Sequence, residues 1–244
     1  MIEYCHKMAK CASYAYFDKK EGKKFFTLLG YTKHKFIDVD GAQCHVAWND
    51  GEMVLAFRGT EPDEFSDIKA DLNAFPDQAW NGHGLVHNGF QEELNKIWDK
   101  VLDALKIQGD RELHITGHSL GGAMATLATS RLREKTRCLY TYGSPRVGTR
   151  RFVKSINVPH YRHVNNNDIV TKVPFAIMGY KHHGHLRYIN HYGEIRHMTV
   201  WQRVKDGWRG FWAAVKEFKF FDFVADHGMP NYVEKAGNIA KIDK

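Results

Sequence analysis

Several features that would narrow the class of protein early are scarce or missing from this chain. Its 244 residues include only four cysteines and six prolines, and no uncharged apolar run approaches the roughly 18 residues that a membrane-spanning helix needs. Internal repeats, low-complexity tracts and Pro- or Ser-rich linkers are also missing, so the sequence offers no domain boundary. A chain of this length buries a sizeable core without disulfides. We predict one domain over residues 1–244 and no transmembrane segment.

Targeting information is scarce as well. The N-terminal residues show no basic stretch followed by an apolar stretch, so no Sec signal peptide is visible. Location therefore stays open between a cytoplasmic protein, export by another route and a trimmed chain. Without a signal peptide, we expect the four cysteine thiols to be reduced. The sequence carries no information on oligomeric state.

The charge balance is moderately basic. Lysine and arginine number 35 against 28 for aspartate and glutamate, a formal net charge of +7, and 15 histidines come in addition. Such a surface either keeps a protein soluble or attracts anionic lipid or nucleic acid. The chain has no motif of interleaved basic and aromatic residues, so we expect no nucleic-acid partner.

Helical and strand patterns alternate along the chain. Asn49-Asp50-Gly51 between two apolar runs predicts a β-hairpin. Residues 88–107 predict a helix with an apolar stripe of Phe90, Leu94, Ile97, Trp98, Val101, Leu102 and Leu105. The other predicted elements are helices at 2–17, 120–135 and 150–156, and strands at 43–48, 53–57, 112–116, 138–142 and 160–164. This alternation predicts an α/β fold with a mostly parallel central sheet flanked by helices.

The strongest chemical signal is Gly117-His118-Ser119-Leu120-Gly121, between a predicted strand and a predicted helix. A serine nucleophile needs a sharp, strained turn with small neighbours so that its oxygen is exposed, and the two glycines provide that space. The backbone N–H of Leu120, at the helix N-terminus, would then face a developing oxyanion. We interpret Ser119 as a candidate nucleophile, with a purely structural turn as the alternative.

A serine nucleophile needs a base and an acid that orients the base, and after such a turn they follow in the order Asp or Glu, then His. Asp168 is the best candidate acid, because it follows a predicted strand and the loops after parallel strands form sites. Asp206, Asp222 and Asp226 are its rivals. Spacing alone does not choose among the later histidines, which are His182, His183, His185, His191, His197 and His227.

Six segments in matching order resemble the class 3 lipases, a fungal-lipase-like branch of the α/β-hydrolases. They are Phe57–Thr60, Val86–Phe90, Gly117–Gly122, Thr141–Gly148, Asn167–Val170 with Val173-Pro174, and Asp226-His227 with Tyr232 downstream. The resemblance covers about residues 40–235. It implies an α/β-hydrolase fold with the nucleophile on the turn between a strand and a helix.

Carried over by position, the resemblance implies Ser119 as nucleophile, Asp168 as the orienting acid and His227 as general base. Thr60 and Leu120 would form the oxyanion hole. The implied reaction is ester hydrolysis through an acyl-enzyme, without cofactor or metal. The implied substrate is a lipid or other ester, met at an oil–water or membrane interface.

Within this chemistry we expect a triacylglycerol lipase. A phospholipase A1 and a soluble short-chain or feruloyl-type esterase are the alternatives, because a fold does not determine its substrate. The basic charge mildly favours anionic phospholipid over neutral fat. A non-catalytic module that binds lipid surfaces is the alternative from another class, and the intact triad positions argue against it. A toxin-like effector exported without a Sec signal is a further possibility.

The resemblance places a lid at residues 61–75, directly after the oxyanion segment. Phe65, Ile68, Leu72 and Phe75 are spaced for one apolar face, of which Phe65, Ile68 and Leu72 would contact substrate. An ordinary amphipathic connector is the alternative interpretation of this segment.

Residues 199–223 predict a basic, Trp-rich amphipathic helix, the composition of a segment that lies at a lipid interface. Trp208 and Trp212 would border the acyl pocket and help to dock the protein on lipid. A helix buried against the core is the alternative.

Other histidines have structural interpretations. We expect His87 to support the fold near the site, and His118 to pack beside Ser119 without a chemical role. The cluster His182, His183, His185 and His191 invites a metal site, but no cysteine or carboxylate spacing supports one.

Overall fold

The computed structural model describes residues 2–60, 75–166, 168–190, 194, 202 and 227–242. Within these residues seven strands form one large sheet, and they lie side by side in the order in which they are named here. They are β1 (Lys33–Val39), β2 (Ala42–Trp48), β3 (Glu52–Phe57), β6 (Glu112–His118), β7 (Thr136–Tyr142), β9 (His160–Asn165) and β11 (His185–Ile189). The first three strands pair antiparallel, and from β3 onward each pairing is parallel.

Four short strands form a second, antiparallel sheet in the part of the chain that is described. In chain order they are β4 (Pro76–Gln78), β5 (Leu85–His87), β8 (Gly148–Thr149) and β10 (Tyr180–Lys181). The described helices are α1 (Ile2–Tyr14), α2 (Lys19–Leu28), α3 (Asn88–Leu105), α4 (Leu120–Arg131), α5 (Arg150–Ser155) and α6 (Met229–Ile242), with 3₁₀ turns at Val170–Lys172 and Ala176–Met178. The predicted α/β fold with a mostly parallel central sheet is therefore confirmed.

The predicted hairpin joins β2 to β3. The side-chain oxygen of Asn49 accepts hydrogen bonds from the backbone N–H groups of Gly51 and Glu52, both at 3.0 Å. An asparagine that bonds to the backbone two residues further on stabilises such a turn locally. The hairpin therefore forms from contacts that lie within a few residues of one another, which is why the sequence predicts it well.

Helices α3 and α4 pack against one face of the large sheet. Six of the seven residues of the predicted apolar stripe of α3 are buried. The seventh, Leu102, is 41% exposed, so its assignment to the buried stripe was wrong. Residues 121–130 of α4 are all buried, because this helix lies between α3 and the strands β3, β6 and β7. Small residues such as Gly121 and Ala125 let the helix approach the sheet closely.

The opposite face is covered by α1, α2 and α6, and here the sequence predicted less. Only α1 was expected, and it ends at Tyr14 rather than residue 17. Helix α2 was missed because its lysine-rich sequence has no long apolar stripe; Asp18 caps it by accepting from the N–H groups of Lys20 and Glu21. Strands β1 and β11 and helix α6 were also not predicted.

All four cysteines are buried and unpaired. Burial raises the pKa of the Cys5 thiol to about 11 and that of Cys11 to about 12, so both are held as thiols rather than thiolates. Among the described helices, none combines the length and the apolar character that crossing a bilayer would require.

Candidate active site

Ser119 lies on the turn between β6 and α4 with a backbone conformation that is unusual for a residue with a side chain. Its φ is 55° and its ψ is −128°. The turn is held by two backbone hydrogen bonds, from the Ser119 N–H to the Tyr142 carbonyl at 3.1 Å and from the Gly122 N–H to the Ser119 carbonyl at 2.9 Å. Backbone strain of this kind persists only where the surrounding structure imposes it, and it is concentrated at functional sites.

Gly117 is required for this turn to close. A Cβ atom built at this position would collide with the backbone of Gly121 and Gly122 in the first turn of α4. The close approach of strand and helix explains why the glycine precedes Ser119 by two residues. The expected reason for this glycine, space for a sharp turn, therefore matches the packing.

Asp168 and His227 are in direct contact although 59 residues separate them. The Nδ1 atom of His227 lies 3.0 Å from each carboxylate oxygen of Asp168. Asp168 is fully buried and His227 is 5% exposed. Gly143, whose φ is +58°, leaves room for the pair, because a Cβ there would lie 2.7 Å from Asp168 Oδ2 and 2.9 Å from His227 Nδ1.

The Asp168 carboxylate has further donors on its other sides. The Val170 N–H donates to Oδ1 at 2.9 Å, and the Tyr232 hydroxyl donates to Oδ2 at 2.6 Å. The same hydroxyl accepts from the Asn165 N–H at 2.9 Å. A buried carboxylate needs such donors to replace the water it has lost. The arrangement holds Asp168 in one orientation and directs it toward His227.

His118, which precedes Ser119 in the chain, links the serine turn to His227. His118, the chain neighbour of Ser119, packs its ring against the ring of His227 with a centroid separation of 4.5 Å. The Oγ of Ser119 is buried and makes no hydrogen bond to any residue in the described parts of the chain. A nucleophile and its base are often not yet hydrogen-bonded before substrate binds.

The candidate oxyanion residues are Thr60 and Leu120, each of which follows a residue of the close contact between Gly59 and Ser119. Leu120 is the first residue of α4, so its N–H belongs to the unpaired, electropositive helix N-terminus. Thr60 follows the end of β3, the strand that pairs with β6. Gly59, one residue earlier, is so close that a Cβ there would lie 3.2 Å from Ser119 Cβ. Gly59 therefore lies against Ser119, and Thr60 and Leu120 are the residues that follow these two in the chain.

The structure does not locate every candidate residue. The lid and interface candidates Phe65, Ile68, Leu72, Trp208 and Trp212 lie outside the described residues, as do residues 61–74 of the expected lid and the rival acids Asp206, Asp222 and Asp226. His191 and His197 lie outside them too.

Three of the other histidines named above have hydrogen-bond partners in the fold. His182 Nε2 lies 2.8 Å from the Thr171 carbonyl, and His183 Nε2 lies 3.0 Å from the Ile156 carbonyl. His87 caps α3 by accepting from the Phe90 N–H at 3.4 Å. Across the described residues, no three His, Cys, Asp or Glu side chains are grouped to hold a metal ion.

Sequence reasoning missed the polar contacts of His118. Its Nε2 lies 2.7 Å from the His227 carbonyl and its Nδ1 lies 2.7 Å from the Tyr16 hydroxyl. Burial lowers the pKa of His118 well below its ordinary value, and the neighbouring His227 lowers it further. No pattern in the sequence links Tyr16 to His118, because 102 residues separate them.

Comparison with known proteins matches residues 54–178 to the family described as lipase (class 3). This segment is about half of the chain, and it contains Ser119 and Asp168 but not His227. The large sheet with the serine turn between β6 and α4 is that of the α/β-hydrolase fold. The chain belongs to the class 3 lipase family.

Individual relatives agree with this assignment. Toxin TseL of Vibrio cholerae is 32% identical in an alignment 184 positions long, which covers 57% of this chain and 28% of that protein. A lipase of Rhizomucor miehei is 36% identical in an alignment 156 positions long, which covers 57% of this chain and 42% of the relative. This chain therefore spans less than half the length of either relative.

Solved structures extend the similarity. One structure, described as a triacylglycerol lipase whose catalytic centre is a serine protease triad, superposes with a TM-score of 0.64 at 27% identity. The superposition covers 77% of this chain and 80% of that structure. The shared fold therefore reaches beyond the matched family segment.

Proposed function

We propose that this chain hydrolyses carboxylic esters of lipids, with Ser119, Asp168 and His227 as its catalytic triad and acylglycerols as its substrates. The observation that carries the proposal is the buried Asp168–His227 pair, with 3.0 Å between Nδ1 and either carboxylate oxygen, beside the strained turn of Ser119. A serine, a histidine and a buried carboxylate in this arrangement make a hydroxyl nucleophilic.

The first half of the proposed reaction is acylation. His227 accepts the proton of Ser119 Oγ as that oxygen bonds to the ester carbonyl carbon. The negative charge that develops on the carbonyl oxygen is stabilised by the N–H groups of Thr60 and Leu120. The intermediate then expels the alcohol, which takes the proton from His227, and an acyl ester remains on Ser119.

The second half is hydrolysis of that ester. His227 accepts a proton from water while the water oxygen attacks the acyl carbon. The Ser119 oxygen leaves with the proton from His227, which frees the fatty acid and restores the starting state. Asp168 holds the Nδ1 side of the imidazole throughout and stabilises its protonated form.

A lipid substrate is supported by apolar side chains that lie close to Asp168 in the chain. Ile169 is 38% exposed, Phe175 62%, Ile177 95% and Met178 49%. Exposed apolar clusters of this kind are typical of surfaces that contact membranes or ligands. The relative named lipase and the structure named triacylglycerol lipase support acylglycerols as the class of substrate.

A phospholipase A1 is the second candidate. The formal net charge of +7 favours adsorption to anionic phospholipid over neutral fat. Both candidates use the same chemistry, and they differ in the surface at which the ester is met. A lid over residues 61–75 belongs to the proposal in either case.

The test is the rate of tributyrin hydrolysis as its concentration crosses the solubility limit, compared with Ser119→Ala. We expect the substitution to abolish hydrolysis, because the nucleophilic oxygen is lost. Ser130→Ala is the matched control: it removes a buried hydroxyl from α4, the helix that follows Ser119, and that hydroxyl donates to the Leu127 carbonyl. This variant should retain the parent rate.

The shape of the rate curve separates the substrates. A jump above the solubility limit supports a lipase with an interface-responsive lid. Smooth saturation below the limit supports an esterase and makes residues 61–75 a connector. If Ser119-dependent hydrolysis occurs only with anionic phospholipid vesicles, the phospholipase A1 replaces the acylglycerol lipase as the proposed activity. Hydrolysis that persists in Ser119→Ala would refute the triad.

A further inference from the structure

We propose that His118 is a positioning residue: it holds the main chain of His227 in place through a hydrogen bond, and the Tyr16 hydroxyl stabilises the tautomer of His118 that donates this bond. This inference rests on the proposed function, because it assigns a role to His118 in orienting the proposed base. It places part of the control of the site in the N-terminal segment, outside the matched residues 54–178.

The geometry joins three residues in a row. The Tyr16 hydroxyl lies 2.7 Å from Nδ1 of His118, and Nε2 of His118 lies 2.7 Å from the carbonyl oxygen of His227. The two imidazole rings also pack against each other, with an interplanar angle of 30°. His118 is 3% exposed, so water does not compete for these contacts.

The chemistry of the atoms determines which way each bond points. A carbonyl oxygen can only accept, so Nε2 of His118 must carry the hydrogen that is donated to His227. Burial keeps the ring neutral by lowering its pKa. A neutral imidazole has one N–H, so Nδ1 accepts and the Tyr16 hydroxyl donates.

This row gives His227 a second anchor. Asp168 holds the side chain at Nδ1, while His118 holds the main chain at the carbonyl oxygen. A general base must be aligned closely with its proton, and small displacements in such a site reduce rates strongly. Holding one residue at both its side chain and its backbone restricts rotation of the imidazole away from Ser119.

Tyr16 is itself held against the oxyanion segment. Arg58 lies over its ring, 5.6 Å from the centroid, and a Cβ at Gly59 would collide with its hydroxyl. Tyr16 lies between α1 and α2, so these helices determine where the hydroxyl points. The N-terminal segment is thereby coupled to Ser119 and His227.

Two substitutions at position 118 separate the hydrogen bond from simple packing. Glutamine has an amide nitrogen as many bonds from Cβ as Nε2 of histidine, whereas the polar atoms of asparagine reach only as far as Nδ1. We expect His118→Asn to lower kcat about tenfold with KM unchanged, the loss of one hydrogen bond in the transition state. His118→Gln should restore most of kcat.

Tyr16→Phe tests the hydrogen bond that the Tyr16 hydroxyl donates to Nδ1 of His118. In the parent chain it should lower kcat a few-fold, because the donating tautomer of His118 loses the hydroxyl that stabilises it. In the His118→Gln background it should have no effect on kcat, since glutamine donates without needing Tyr16. Equal effects on kcat in both backgrounds would mean that Tyr16 acts through packing. That result would overturn the role of its hydrogen bond to His118.

A spectroscopic measurement judges the proposal even if the chain hydrolyses no ester. Nitrogen-15 NMR of the histidine-labelled full chain should show His118 neutral with its proton on Nε2. The Nδ1–H signal of His227, assigned by its loss in His227→Gln, should be retained in His118→Gln and altered in His118→Asn. A proton on Nδ1 of His118, or parent-like signals and kcat in His118→Asn, would refute the positioning role.

Discussion

The two faces of the large sheet are built from different chemistry. The face under α3 and α4, called here the inner-helix face, is filled with aliphatic and aromatic side chains that include Leu55, Leu94, Ile97, Leu113 and Ile115. The face under α1, α2 and α6, the terminal-helix face, is rich in groups that can form hydrogen bonds. It includes Tyr31, Tyr140, Tyr142 and Tyr232 together with Cys5, Cys11 and Cys138.

Hydrogen bonds cross the terminal-helix face toward the strands that carry the site. The Thr116 hydroxyl donates to the Met8 carbonyl at 3.2 Å, and the Tyr142 hydroxyl donates to the Cys5 carbonyl. Tyr4 and Lys7 of α1 both contact the Glu52 carboxylate. Apolar burial is not directional, whereas hydrogen bonds are. The comparison indicates that one face mainly stabilises the sheet and the other mainly orients the site.

The largest expected effect is on the inner-helix face. Leu94 is fully buried there, and Leu94→Ala should lower the free energy of unfolding by about 2–5 kcal/mol through lost burial and a cavity. The kcat of the remaining folded protein should stay at the parent value. Urea unfolding and ester hydrolysis measure the two quantities on the same sample.

Leu102→Ala is the matched control on the same helix. Leu102 is 41% exposed, so its truncation should change the free energy of unfolding by no more than about 0.5 kcal/mol. A large fall in kcat for Leu94→Ala would break the comparison, because the inner-helix face would then also orient the site.

A smaller effect on stability, but a larger one on catalysis, is expected on the terminal-helix face. Tyr232→Phe removes the hydroxyl that donates to Asp168 and accepts from the Asn165 N–H. We expect the free energy of unfolding to fall by about 1.5–3 kcal/mol, the range for a hydrogen bond to a charged group. The kcat should fall about tenfold, as Asp168 orients His227 less well.

Tyr161→Phe removes a hydroxyl from the same face at a residue whose ring packs on Tyr140, and it should leave kcat unchanged. Steady-state kinetics with a soluble ester measure both variants. Equal kcat values for Tyr232→Phe and the parent would show that the hydroxyl serves stability alone.

The smallest effect concerns pH. Burial, followed by the neighbouring His34, lowers the pKa of His45 from its ordinary value of 6.5 to about 3. His45 is therefore neutral in the folded chain, while the unfolded chain binds a proton below about pH 6.5. Stability is fully present above that pH and is lost as the pH falls, by about 1.4 kcal/mol for this residue near pH 5.5.

Replacing His45 with Gln should reduce the loss of stability between about pH 8 and about pH 5.5 by that amount. Urea unfolding at the two pH values measures it. His185→Gln, at an exposed position, is the control and should leave the loss unchanged. An unaltered pH dependence in His45→Gln would mean that this imidazole is already protonated in the folded chain.

The comparison of the two faces also explains what could be predicted. The inner-helix face comes from continuous segments with clear periodicity, such as the stripe of α3, and its elements were expected in nearly their observed places. The terminal-helix face draws on α2 and α6, which have weak patterns of their own. Its polar contacts, such as Tyr16 with His118, join residues 102 positions apart, and no local pattern reports such a contact.

By itself, the sequence determined the turn that carries Ser119, because strand, glycines and helix are adjacent in the chain and their sterics act locally. It also pointed to the loop after a strand that holds Asp168, the proposed acid. Resemblance to a family was needed to select His227 as the proposed base among six histidines. Only the tertiary structure decided that Asp168, Tyr232 and His227 meet in one buried cluster, and that the N-terminal segment reaches His118. Those contacts depend on how distant segments pack on a shared sheet, and the free energy of that packing belongs to the whole fold rather than to any one segment.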